Sequence, residues 1–277
     1  MNKKEKLISI AIKNKGDYKK IKEDIIGGTS VEYVTCQNCF TIFDDIYPKE
    51  LLDLTDPPFV LFYKGNLDLL KQEKIGIVGS RFPSDYALKA TRALANNKKE
   101  VVVSGLAKGI DACAQSSAKR SIGILGSGID YIYPKENKEL YQKLEKEGLL
   151  LSEYPNNTVP FAYHFPFRNR IISALSREVY VMELNEKSGT MTTVNETLKL
   201  GKDVKVLPFS VFSEKDVYNN TLINEGALMI SYNDLFNWQK YFSCVSYYFV
   251  KENYEKFSYS RVSIKIEDNR KIFRKRL

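Results

Sequence analysis

The 277-residue chain contains one histidine, His164, and only four cysteines. A single histidine disfavours mechanisms that need two, His-rich metal hydrolysis among them. Four cysteines in a chain this long do not make a disulfide framework, which points to a reducing cytoplasm. Long apolar runs are missing too. Val101–Val103 and Gly148–Leu151 are far too short to span a bilayer, so no membrane association is expected. The N-terminal stretch MNKKEKLISIAIKNKG is positive but lacks a long apolar segment and a small-residue cleavage site, and it reads as a helix rather than a signal peptide. Two nucleotide fingerprints are also absent. The run from Ile75 to Arg81 has no G-x-G-x-x-G, and Arg81 takes space that a pyrophosphate would need. No G-x-x-x-x-G-K-[ST] loop occurs, which argues against an NTPase. What is present is a hydrophobic fraction of 43% with 12% aromatics, enough for a sizeable core and against wholesale disorder.

The net charge of +8 is unevenly placed. Residues 1–28 carry +4, residues 236–277 carry +6, and the long centre carries −2. Basic ends suit a polyanion partner, and they equally suit plain solubility; charge alone does not separate these readings.

Residues 1–28 read as one Lys-rich helix with Leu7, Ile8, Ala11 and Ile12 on one side, closed by Gly27-Gly28. Asp56-Pro57-Pro58 followed by FVLFYKG reads as a turn into a strand. From about residue 74, six short apolar runs alternate with helical stretches: Ile75–Val78, Val101–Val103, Ile122–Leu125, Leu149–Leu151, Val179–Glu183 and Val204–Leu207. This alternation predicts an α/β fold, an extended Rossmann-like, doubly wound and mainly parallel sheet. The expected organisation is an N-terminal helical and extended region (1–70), a Rossmann-like domain (71–236) and a basic, aromatic C-terminal extension (237–277) whose Ser258–Ile266 stretch alternates like a strand.

Four of the runs lead into glycine-bearing loops that open helices, and ligands of open α/β sheets bind at that edge. These are Gly79-Ser80-Arg81, Ser104-Gly105 with Lys108 further on, Gly126-Ser127-Gly128, and Ser188-Gly189-Thr190. Amides there converge on one point beside a helix's positive end, a ready phosphate site, and Arg81 adds a two-pronged guanidinium. One such loop is weak support, since glycine also makes tight turns. Four along one edge favour binding.

The densest chemical feature is Phe165-Pro166-Phe167-Arg168-Asn169-Arg170. Placed at the start of the apolar helix IISALS, the triplet Arg168, Asn169 and Arg170 would meet consecutive phosphates, with Phe165 and Phe167 as stacking faces. The plainer alternative is an N-cap asparagine between surface arginines. Asp111 and Asp130 more readily cap helices or bond loop amides than form a catalytic pair. Cys36-x-x-Cys39 has zinc spacing but no second pair, and Cys113 and Cys244 are distant.

Eight motifs, in order, are similar to those of the DNA-processing protein A (DprA or Smf) family: YKGNLDLL (63–70), GIVGSR (76–81), SGLAKGID (104–111), GSGIDYIYP (126–134), LSEYP (151–155), FPFRNRIISALS (165–176), SGTMTT (188–193) and LINEGA (222–227). The resemblance covers Tyr47 to Phe236. It implies a Rossmann-like fold that binds single-stranded DNA, forms homodimers and hands the strand to the recombinase RecA in natural transformation, without enzymatic activity, catalytic residue, metal or cofactor. The family's phosphate-contacting arginines fall on Arg81, Arg168 and Arg170, and Lys108 is a further contact by position. Pro208-Phe209 stands where the family has Pro-Gly, the basic tail replaces a winged helix, and residues 1–46 are atypical. The runner-up is a nucleotide-binding or nucleotide-hydrolysing protein of the related phosphoribohydrolase-like fold, since Ser188-Gly189-Thr190 with Glu196 partly resembles the G-G-x-G-T-x-x-E stretch of Lonely guy enzymes. A third reading is a nucleotide-sensing or defence module built on such a domain.

Overall fold

The strands read as unbroken apolar runs because both faces of their sheet are covered. The structure, a computed structural model, describes residues 2–213 and 218–236. The chain divides into units 1–235 and 236–277, and the first carries every element below. Its order is α1 (Lys3–Lys13), α2 (Tyr18–Ile26), β1 (Cys39–Thr41), β2 (Val60–Gly65), β3 (Lys74–Val78), α3 (Asp85–Asn97), β4 (Val101–Ser104), α4 (Ile110–Ser117), β5 (Ser121–Leu125), α5 (Lys138–Glu147) and β6 (Leu149–Ser152). There follow α6 (His164–Leu175), β7 (Glu178–Val181), α7 (Thr190–Lys199), β8 (Asp203–Val206), α8 (Asn219–Asn224), β9 (Leu228–Met229) and α9 (Tyr232–Leu235).

The nine strands form one sheet in the order β1-β2-β6-β5-β4-β3-β7-β8-β9. All pairings from β6 to β9 are parallel, and β2 and β1 add antiparallel strands at the β6 edge. The doubly wound, Rossmann-like, mainly parallel sheet expected from the six apolar runs is therefore the one that forms. From β3 the chain winds one way through β4, β5 and β6, then returns to the other side of β3 as β7. The loops after β3 and β7 flank this topological switch, where such sheets open a crevice.

Side-chain alternation covers each face. Val179 and Val181 of β7 join Val103 and Ile124 against Ile171, Ile172 and Leu175 of α6. Tyr180 and Met182 join Ile75 and Ile77 against Leu94 of α3 and Ile110 of α4. Each such aliphatic side chain, fully withdrawn from water, contributes about 1.5–3 kcal/mol, which makes the sheet a rigid base for its loops.

Two sequence expectations are corrected. The N-terminal segment is two helices, not one. The chain turns through Lys15 and Gly16, both at positive φ, and a Cβ on Gly16 would meet the carbonyl of Glu153 at 2.5 Å. Only glycine fits that approach, so the helix breaks there and Asp17 caps the next one through the amides of Lys19 and Lys20. The Arg-Asn-Arg triplet does not open a helix either. Helix α6 starts at His164, four residues before Arg168, which moves the triplet into its second turn and into the interior. The basic tail and its Ser258–Ile266 stretch lie outside the described residues.

At the other departure from the family pattern, Phe209 is held by Asn220, which accepts from its amide at 3.0 Å and donates to its carbonyl at 2.8 Å, and Tyr86 packs edge-on against its ring.

Candidate functional site

A cavity of about 730 Å³ lies at the carboxyl edge of the sheet, between the loops after β3 and β7 and the start of α6. Its floor is built by loop-to-loop hydrogen bonds. The Ser80 amide donates to the Glu183 carbonyl at 2.6 Å, and the Ile110 amide donates to the Ser80 carbonyl at 3.1 Å. Gly79 permits this closeness, since a Cβ there would meet Ile110 at 2.8 Å and the Glu183 carbonyl at 3.0 Å. Ser84 caps α3 through the Ala87 amide, while its hydroxyl and amide donate to the Glu183 carboxylate at 2.5 and 2.9 Å. The Gly-Ser-Arg turn is thereby fixed, with Arg81 exposed at its tip and its guanidinium 5.8 Å from the centre of the Phe165 ring.

The opposite wall is the start of α7. The Thr190 hydroxyl donates to the Gly79 carbonyl at 3.2 Å and the Thr190 amide to the Ser188 hydroxyl at 3.2 Å, while the space beside Gly189 is open. The helix carries no side-chain N-cap, and its positive end faces the cavity.

Arg168 forms the back of the cavity and is 4% exposed. Its guanidinium donates to the Ile124 carbonyl and, at 2.9 Å, to Asn169 Oδ1. Gly105 is glycine for this reason: any Cβ there would run into the guanidinium. Asp111, also buried, accepts from the Gly105 amide at 3.1 Å. Burial pushes the Asp111 carboxyl up, against the opposing pull of Arg168 and the amides of Gly105 and Ala107. Burial likewise lowers Arg168, with Asp111 working against it. Each charge opposes the effect of burial on the other without outweighing it.

Of the residues singled out from the sequence, Gly79, Ser80, Arg81, Phe165, Arg168 and Asn169 line the cavity. Ser188, Gly189 and Thr190 complete it. Gly105 and Lys108 line a small adjoining pocket with Arg81 and Phe165, and Lys108 is paired with Glu136 at 2.5 Å on the surface. Ser104, Gly126, Gly128 and Arg170 do not reach either space. The Ser104 hydroxyl donates to the Ile77 carbonyl at 2.6 Å, Gly126 makes room for the Phe165 ring, and the Gly128 amide donates to the Thr158 carbonyl at 2.8 Å. Arg170 turns away, forming a two-pronged buried pair with Glu153 at 2.6 and 2.7 Å and stacking on Phe167 at 3.7 Å. Asp111 and Asp130 do bond loop amides, those of Gly105 and Asn157.

Sequence reasoning missed Phe82, Tyr133, Asn185 and Lys187, all on the lining. Two carried a signal. Phe82 directly follows the Gly-Ser-Arg turn, and Lys187 directly precedes the Ser-Gly-Thr turn. The exposed cations are thus Arg81 and Lys187 on facing loops, with Lys108 beside them. Asp111 is the single acidic residue among the lining residues. The arrangement accepts an anion, with apolar ring surface next to it.

Residues 38–239 match the family model described as DNA recombination-mediator protein A. The chain is 41% identical over 198 residues to the DNA processing protein DprA of Streptococcus pneumoniae, covering 69% of this chain and 70% of that protein. The X-ray structure of that protein superposes with a TM-score of 0.67 and 34% identity over 83% of this chain and 94% of the other. A structure of DNA processing protein A from Helicobacter pylori, described for its single-stranded DNA binding mode, superposes with a TM-score of 0.65 and 32% identity, covering 75% of this chain and 95% of that one.

Proposed function

The chain belongs to the DNA recombination-mediator protein A family, and from that premise we propose that it binds single-stranded DNA at the cavity just described. The supporting observation is the exposed Arg81 guanidinium beside the Phe165 ring, at the rim of a cavity whose one lining carboxylate is offset by Arg168. A phosphate meets Arg81 and Lys187, and the adjoining base meets ring surface. Arg168 and Asn169 support the site from behind. Such binding is tolerant of sequence and weakens with salt. The protein is a mediator rather than an enzyme: it passes the strand to a RecA recombinase during natural transformation in the cytoplasm, as a homodimer, in line with its family.

Titration of a labelled oligothymidine by fluorescence anisotropy at low and high salt tests the site. Arg81→Ala is expected to weaken binding about tenfold and to reduce the salt slope by about 0.7, as loss of one single-strand phosphate contact requires. Wild-type affinity and slope in that variant would remove Arg81 from the site. Loading of RecA on a strand coated with single-stranded-DNA-binding protein tests the mediator role, and light scattering after size-exclusion chromatography tests the dimer.

A further inference from the structure

The loop between β6 and α6 holds two aromatic rings out in water. Phe161 is 49% and Tyr163 65% exposed, yet neither is loose. Their rings are nearly parallel, 13° apart with centroids 5.7 Å apart. Both stand edge-on against His164, at 5.3 Å for Phe161 and 4.5 Å for Tyr163. His164 is itself buried at the first position of α6, stacked on Tyr154 at 4.0 Å, with Nδ1 3.1 Å from the Gly126 carbonyl oxygen. A buried side chain therefore sets the orientation of two rings that would otherwise retreat from solvent, since each forgoes on the order of 1–2 kcal/mol of burial.

The rings lie on the loop that also borders the phosphate site. Pro160 and Ala162, which alternate with them along the chain, line the main cavity together with Phe165, the residue beneath Arg81. We propose that Phe161 and Tyr163 form a base-stacking ledge for the strand as it leaves the Arg81 cavity, and that this ledge makes the site select unpaired over paired DNA. The inference rests on the single-stranded DNA reading above. Its physical basis is that phosphate contacts occur on single and double strands alike, whereas a ring can stack only on a base whose face is free. In a duplex those faces are covered by neighbouring pairs. Nucleobases are the occupant that this surface fits, because it is flat and aromatic and is carried by the loop whose Pro160 and Ala162 line the cationic cavity.

The test uses the full chain and a labelled oligothymidine, a duplex of equal length, and a strand carrying 2-aminopurine, whose emission falls when it stacks. Phe161→Ala/Tyr163→Ala is expected to weaken single-strand binding by at least about fivefold per ring, to leave duplex affinity and the salt slope unchanged, and to abolish the 2-aminopurine quench. Tyr163→Phe keeps the ring and is expected to behave as wild type. Both substitutions lie in an exposed loop, and an unchanged thermal melt verifies folding. Unaltered single-strand affinity in the double variant, or equal losses for single and double strands, overturns the ledge; the first result would assign the rings to a protein partner instead. Arg81→Ala separates the two levels. If it weakens binding while the ring variant does not, the ledge alone fails. If the wild-type chain shows no salt-dependent strand binding, the underlying reading fails.

Discussion

Replacing Arg168 by methionine tests whether that arginine builds the site or merely touches DNA. The side chain is 4% exposed and donates to Ile124 and Asn169. Its removal leaves the buried Asp111 without its main opposing charge and the Ile124 carbonyl without that donor. Stripping the partner from a buried charge costs about 3–5 kcal/mol when the two are in direct contact. Here the charges act across the loop, so we expect the low end, about 3 kcal/mol in total, or roughly 6–12 °C in melting temperature for a unit of this size. Asp111→Asn keeps an acceptor for the Gly105 amide while removing the charge. The Arg168→Met/Asp111→Asn pair should therefore melt above Arg168→Met alone by the equivalent of about 1–2 kcal/mol. The pH dependence has a definite sign. Burial raises the Asp111 carboxyl in the folded protein, and losing Arg168 raises it further. The folded variant then binds a proton that the unfolded chain does not, so its deficit shrinks as pH falls from about 8 toward about 5. Thermal melts of the four proteins at both ends of that range decide the matter. If Arg168→Met melts within about 1 kcal/mol of wild type at both pH values and yet loses strand binding, Arg168 is a direct phosphate contact and the scaffold reasoning is wrong.

Other perturbations give separate readings. Glu153→Gln leaves the buried guanidinium of Arg170 uncompensated and should cost about 3–5 kcal/mol in a melt, while strand affinity, measured well below the transition, stays near wild type. A parallel loss of affinity would put Arg170 in the binding surface. The Cys36 thiol is lowered to about 7 by the hydrogen bond from Cys39. Alkylation of Cys36, followed by mass spectrometry, should be half-maximal near that pH, and Cys39→Ala should move the midpoint up toward the ordinary thiol value of about 8.5. An unmoved midpoint would remove Cys39 as the donor. Lys187→Ala should weaken strand binding several-fold with no change in melting, because the side chain is exposed on the cavity's lip.

The fold was legible because its information is local. Six apolar runs, four of them leading into a glycine turn before a helix, specify strands buried on both faces and loops along one edge. Gly79 and Gly105 were legible as loop glycines, but not for their real constraint, which is the approach of Ile110 in one case and of the Arg168 guanidinium in the other. The break at Gly16 was missed for the same reason: the contact that demands glycine comes from Glu153, far along the chain. Phe161 and Tyr163 carried no sequence signal either. Aromatic residues in a loop are as readily core as surface, and their exposure depends on His164 being held from beneath.

The arginines show why charge was the hardest feature to place. A lone arginine in a sequence is assumed to be wet, because burying its charge unpaired is prohibitive. Arg168 and Arg170 offset that penalty, in part for the first, through partners from elsewhere in the fold: Asp111 of α4 and the Ile124 carbonyl of β5 for one, and Glu153 for the other. Arg81 has no such arrangement; its guanidinium is exposed at the end of a turn that the Glu183 carbonyl fixes in place. Three arginines that the family resemblance treats alike thus divide into two that brace the interior and one that is presented to solvent. The division has a mechanical consequence. Because Arg168 ties α6 to the Ile124 carbonyl of β5 and Arg170 ties it to Glu153 after β6, Phe165 is held in place at the rim beside Arg81, and on the proposed reading a strand would need little reordering of the protein to bind there. Most of the chain's +8, by contrast, sits in its two ends. On the proposed reading, that excess would raise the concentration of a nucleic acid near the protein, while a few residues in a core of slightly negative net charge would set where it docks.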